Sequence, residues 1–192
     1  DGAPFELSST DRYVSEWDLS YEVGYALGDI VYALAGIPGV TITGVTTDTT
    51  VSDDATAYRI SALERKAHGA WTTVGKREEI PVRAGSTLAL RVVITGGAES
   101  TTLPVSVTVP RRMAGGSGVL EVVGGLDLEG LGQMSTLERA KDAVAKLVRN
   151  DQVQVALSSV NARGRVKVVS TRALSPLPGV VSGHRSAQLV VR

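Results

Sequence analysis

Two histidines, one glycine-framed serine and a short run of aspartates are the residues here whose type and setting could support a reaction or hold an ion. Cysteine is absent, which excludes disulfides, thiolate nucleophiles and thiolate metal ligands. Any other nucleophile needs a base beside it and a third group to orient that base. His68 stands in Lys66-Ala67-His68-Gly69 and His184 in Ser182-Gly183-His184-Arg185, and both settings read as polar turns. Ser117 is framed as Gly115-Gly116-Ser117-Gly118. A nucleophile elbow has a strand before the serine and a helix after it; here a strand pattern follows, so Ser117 reads as part of a β-connection. Asp48, Asp53 and Asp54, with Thr47, Thr49, Thr50 and Ser52 around them, could offer oxygen ligands to calcium. Their spacing is not that of an EF-hand loop, and a solvated acidic turn is the simpler reading. No catalytic set, no cofactor motif and no firm metal site emerges.

A contact surface is better marked. Six of the eight aromatic residues fall within the first 32 positions. At about 100° per residue, Trp17, Tyr21, Tyr25 and Tyr32 share an arc of roughly 80° on one predicted helix. Gly24 and Gly28 lie in or beside that arc, where a second backbone could approach closely. Leu19, Val23, Leu27, Ile30 and Leu34 form a second apolar face, expected to go to this chain's own sheet. The aromatic stripe is then the side available to an adjacent domain or partner protein.

Charge is balanced overall, with 20 basic and 20 acidic residues. It is unevenly placed: residues 1–110 carry 14 acidic and 8 basic side chains, and residues 111–192 carry 6 and 12. Such halves can attract each other or orient the molecule toward a charged partner. The basic residues of the second half are scattered and have no aromatic residue beside them to stack a base, so nucleic acid is not an expected partner. No apolar run approaches the 18 residues of a membrane-spanning helix, and no signal-like segment opens the sequence.

The elements that must position these residues follow from periodicity. Asp18 or Ser15 can cap a helix that ends near Ala35, with Gly36 and Pro38 as stop signals. From Gly39 onward the pattern has period two, predicting strands at 39–47, 56–65, 70–74, 78–83, 87–94, 103–109 and 118–123. Leu88, Leu90, Val92 and Ile94 alternate most clearly, and Pro104 places its strand at a sheet edge. A second helix is opened by Ser135-Thr136-Leu137-Glu138 as a capping box, burying Leu137, Ala140, Val144, Leu147 and Val148. Strands at 152–159 and 164–170 form a hairpin, and a last strand lies near 186–191. The fold class is mostly β, α+β overall. An antiparallel immunoglobulin-like β-sandwich carries the aromatic helix (1–124), and a small helix-and-hairpin unit follows (125–192).

Three stretches carry a resemblance. Arg83-Ala84-Gly85-Ser86-Thr87-Leu88 is similar to an R-x-G-x-T/V-Φ entry into a strand, where Φ is apolar. Val107-Thr108-Val109-Pro110, continuing to Gly118-Val119-Leu120-Glu121-Val122, is similar to a V-x-(I/V)-P … G … L-x-V pair. Arg149-Asn150-Asp151-Gln152-Val153-Gln154-Val155-Ala156-Leu157 resembles an R-N-D-x-Φ-x-V-x-L segment after a helix. Together they resemble the region downstream of the peptidase domain in bacterial exported proteins related to the stage IV sporulation protein B serine peptidases. The family's glycine-serine-glycine-serine nucleophile motif is missing here, so no catalytic residue carries over. The resemblance implies a non-catalytic accessory region of a larger exported protein, extracellular or in the cell envelope, that docks on or supports a peptidase domain. Two other readings stand beside it. One is an adhesin-like or glycan-binding sandwich using Tyr58 and Trp71; the other is an unrecognised hydrolase using acidic residues.

Overall fold

The computed structural model describes residues 4–15, 18–53, 55–75, 78–96, 99–125, 135–145, 147–161 and 163–192. They form a mostly β protein with two helices and two five-stranded sheets. The helices are α1 (Leu19–Ala35) and α2 (Leu137–Ala145). The strands are β1 (Ala57–Ala67), β2 (Ala70–Thr73), β3 (Glu79–Val82), β4 (Thr87–Gly96), β5 (Glu99–Thr108), β6 (Ser117–Gly124), β7 (Val153–Val160), β8 (Val166–Ala173), β9 (Val180–Ser182) and β10 (His184–Val191).

The chain divides into two compact units, residues 1–55 with 126–150, and residues 56–125 with 151–192. This differs from the division at residue 124 expected from sequence. Strands β7, β8 and β10 do not build a separate hairpin unit; they join β6 and β3 in one sheet, ordered β3-β10-β6-β7-β8. The other sheet runs β2-β1-β4-β5, with β9 added alongside β1.

Both sheets contribute to one core. Leu90, Val92 and Ile94 of β4 and Val105 and Val107 of β5 come from the first. Leu120 and Val122 of β6, Val153, Val155 and Leu157 of β7, and Leu189 and Val191 of β10 come from the second. Alternate residues of each strand are thus turned inward, as a two-layer sandwich requires. One strand breaks the alternation: Ile60 and Leu63 of β1 are both buried although three positions apart. A register shift between Ile60 and Ala62 explains it, because a bulge at Ser61 returns Leu63 to the inner face. The guanidinium of Arg185 on β10 closes this corner, donating to the Ser61 carbonyl at 2.6 Å.

Pro104 sits on β5, an edge strand, as its missing donor demands. The sheets are not purely antiparallel, however. β1 pairs in parallel with β9, and β3 in parallel with β10. The chain passes from β9 in one sheet to β10 in the other through Gly183 alone, at φ 99°. That conformation suits a residue without Cβ. At Gly179, just before β9, the backbone approaches so closely that an added Cβ would lie 2.1 Å from the Thr56 carbonyl oxygen.

The strand expected at 39–47 is not formed. Its alternating composition is present, but a strand exists only where a ladder partner exists, and none pairs with it among the described residues. The second helix begins one residue later than the capping box implied: Thr136 Oγ1, not Ser135, accepts the N3 amide of Arg139, at 3.4 Å. Its buried face is as expected at Ala140 and Val144, with Val148 beyond the helix. In the same unit, the Asn150 amide donates to Asp11 Oδ1 at 2.6 Å, and Lys141 Nζ stands 5.0 Å from the Phe5 ring centroid. The N-terminal lead-in is thereby tied to α2 and the residues after it.

Candidate functional site: the tyrosine face of the first helix

Helix α1 starts where its cap predicts. Asp18 is extended, and its carboxylate accepts from the Ser20 amide at 3.0 Å, satisfying one of the donors a helix start leaves open. Hydrogen bonds from the Ser20 hydroxyl and amide hold the Asp18 carboxyl below its ordinary pKa. At the other end, the Gly36 amide still donates to the Tyr32 carbonyl in right-handed geometry, and the left-handed glycine comes later, at Gly39. Gly36 therefore prolongs the last turn and does not reverse it.

The two faces differ in exposure as their spacing implied, although α1 belongs to the compact unit that holds neither sheet and not to the sandwich as expected. Ala26 is buried, and Val23, Leu27, Ile30 and Leu34 are half-buried. On the aromatic side Tyr21 is 62 % exposed, Tyr25 59 % and Tyr32 84 %. Gly24 and Gly28 stand between the rings, and a Cβ built on either would meet no atom within 4 Å. A shallow, open groove of about 630 Å³ runs along this face, lined by Asp18, Ser20, Tyr21, Gly24, Tyr25, Gly28, Asp29 and Tyr32. Trp17, the fourth ring of the stripe, lies outside the described residues.

The rings are not independent. Tyr21 and Tyr25 meet edge to face with centroids 4.5 Å apart and planes at 61°. The Tyr21 hydroxyl donates to that of Tyr25 at 2.9 Å. Ionising Tyr21 would forfeit that bond, so its pKa is raised, with burial and the Glu22 charge adding to the effect. The helix carries Glu22 and Asp29 and no basic residue, so the face combines π surfaces with negative charge. That combination suits arginine and lysine side chains of a protein surface.

The remaining aromatic residues described in the sandwich are engaged. Arg91 stands over the Trp71 ring at 4.7 Å while also ion-paired with Glu64. Tyr58 packs where a Cβ at Gly96 would be, 2.4 Å from its Cδ1. The chemistry-bearing residues are scattered. His68 and Gly69, at φ 50° and 84°, are the two central residues of the tight turn joining β1 to β2. Positive φ at both centres is the hairpin geometry whose twist matches the flanking strands. Ser117 pairs with Val160 and Val190 inside its sheet, and His184 pairs with Val123, with Nε2 3.8 Å from Glu121 Oε1. The structure does not bring Ser117 and either histidine together as a nucleophile and base. Asp48 and Asp53 lie exposed outside any helix or strand, and Asp54 lies outside the described residues. Among the described residues no three acidic or histidine side chains are grouped to hold a metal ion. None of the described helices is long and apolar enough to cross a membrane.

No protein-family model, curated protein or solved structure matches this chain.

Proposed function

We propose that this chain is a non-catalytic docking region of a larger exported bacterial protein, and that the tyrosine face of α1 is its contact surface. The carrying observation is the stripe of three exposed tyrosines, spaced by glycines and flanked by Asp18, Glu22 and Asp29. Large rigid aromatics are the residues that most often dominate protein interfaces, because they bury much area at small entropic cost. In this reading the sandwich is an immunoglobulin-like scaffold. The partner is a peptidase domain of the kind found in relatives of stage IV sporulation protein B, meeting the face with a basic surface. The engagement of Trp71 by Arg91 and of Tyr58 by Gly96 favours this over a glycan platform on the sandwich.

Calorimetric titration of the chain with a separately produced peptidase domain of that type tests the reading. Binding is expected, weakened about ten-fold or more by Tyr25→Ala and by Tyr32→Ala. Binding that is unchanged in both variants, or no binding by the parent chain, overturns it.

A further inference from the structure

Strand β8 is an edge with a free side, and residues 41–53 have a strand's composition without a sheet. β8 pairs with β7 on one side only, and among the described residues nothing bonds to the backbone of its other side. From Thr41 to Asp53 the chain forms no helix or strand and is almost wholly exposed, and among the described residues none of these thirteen has a hydrogen-bond partner. Yet their composition, Thr-Ile-Thr-Gly-Val-Thr-Thr-Asp-Thr-Thr-Val-Ser-Asp, is that of a strand: nine of the thirteen are β-branched.

The faces of the two segments correspond. On β8, Val166 and Val168 are 63 % and 61 % exposed. They stand opposite Val160 and Ser158, on the same outer face of the sheet as Val119. Lys167 and Arg172 alternate to the other face, opposite Ser159 and Val155. Arg163 and Arg165 lead into the strand, no acidic residue occurs from 152 to 192, and among the described residues none of these four cations has an ion pair. In the 41–53 segment, Thr43, Val45, Thr47, Thr49 and Val51 share one face, while Asp48 lies on the other and Asp53 closes the segment. An added strand with its valine face against Val166 and Val168 therefore brings Asp48 toward the Lys167 row. The bulge that leaves Val169 unpaired, together with Lys167, discourages an indiscriminate neighbour at this edge. The same lysine favours an acidic one.

We infer that residues 41–53 of a second copy of this chain add as a strand to β8, so that two copies associate by strand exchange. The backbone ladder supplies attraction, and the valine and charge rows supply register. This inference uses none of the residues of the tyrosine face, and neither proposal depends on the other.

The absence of cysteine makes a direct test possible. Chains of residues 1–192 carrying only Thr47→Cys are mixed with differently tagged chains carrying only Val168→Cys, then oxidised. A mixed disulfide of about twice 20.0 kDa is expected, or the same product when Val45→Cys or Thr49→Cys replaces Thr47→Cys. In parallel, Lys167→Glu and Asp48→Lys are each expected to weaken self-association about ten-fold at low ionic strength in sedimentation, and the two together to restore most of it. No mixed disulfide from any of the three donors overturns the inference. So does a parent chain that sediments as a monomer at every concentration, or a charge reversal that the second reversal does not rescue.

Discussion

Tyr21 donates its phenolic hydrogen to Tyr25 across one helical turn, at 2.9 Å, with both rings exposed. The pair is thus ordered before any partner arrives, which lowers the entropy lost when the face is covered.

That bond is visible in a titration. Tyr21 should ionise above the ordinary tyrosine range, and Tyr25→Phe, which removes the acceptor and with it the largest cause, should bring it down toward that range. Phenolate absorbance near pH 10 and above, compared between parent and variant, reads the difference. Identical titration curves would mean the hydroxyls do not interact in solution.

Tyr13 gives a clear alkaline signature. Burial, reinforced by the Asp11 charge, pushes its phenol from 10.0 up to about 12. The neutral form is the one the fold favours. Its contribution is therefore complete below pH 10 and is lost as the pH rises from 10 through about 12. Urea midpoints should fall across that window, and Tyr13→Phe should flatten the fall. An equally steep decline in the variant would assign it to other groups.

Gly179→Ala should be among the most damaging single substitutions of the sandwich. Its new methyl would sit 2.1 Å from the Thr56 carbonyl oxygen, and the obstacle is backbone. Overpacking of this kind costs about 3 kcal/mol at its upper end, read as a lower urea midpoint with an unchanged slope. Gly24→Ala on exposed helix, where nothing stands within 4 Å, is the matched control and should gain up to about 1 kcal/mol from helix propensity.

Removing the Arg185 side chain should open the corner at the β1 bulge. The guanidinium spans from its own strand to the Ser61 carbonyl at 2.6 Å, and Arg185→Ala should destabilise by about 1.5–3 kcal/mol, the range for a charged donor. Hydrogen exchange should rise first around Ser61. Arg185→Lys, with no planar fork, should recover part of the loss.

The parts of this fold legible in sequence are those set by neighbours in the chain. Asp18, the tyrosine spacing and the glycine and proline after Ala35 locate α1 because each acts within one or two turns. Leu90, Val92 and Ile94 declare β4 because alternation is local, and the exposed side of the tyrosines follows from the aliphatic stripe opposite. What was hidden depends on distant partners. Residues 39–47 carry a strand's composition without its ladder, while β9 is only three residues long and exists because Tyr58 and Val181 meet. The parallel pairs, and the membership of β7, β8 and β10 in one sheet with β3, depend on contacts across much of the sequence. The β1 bulge disguised its own burial pattern by setting Ile60 and Leu63 an odd number of residues apart.

The crossing at Gly183 bears on how the protein comes to be folded during synthesis. β9 docks on β1, pairing Tyr58 with Val181, and β10 inserts between β3 and β6, pairing Ile80 with Leu189. Until residues 180–191 leave the ribosome, β3 lacks the neighbour that holds it and β6 lacks one of its two. Loop closure over more than 100 residues is slow, so the nascent chain spends that interval with two unfilled strand edges around an unfinished core. Chaperone dependence should therefore last until residues 180–191 have emerged, and slowing synthesis upstream of residue 180 should change the yield of folded protein little.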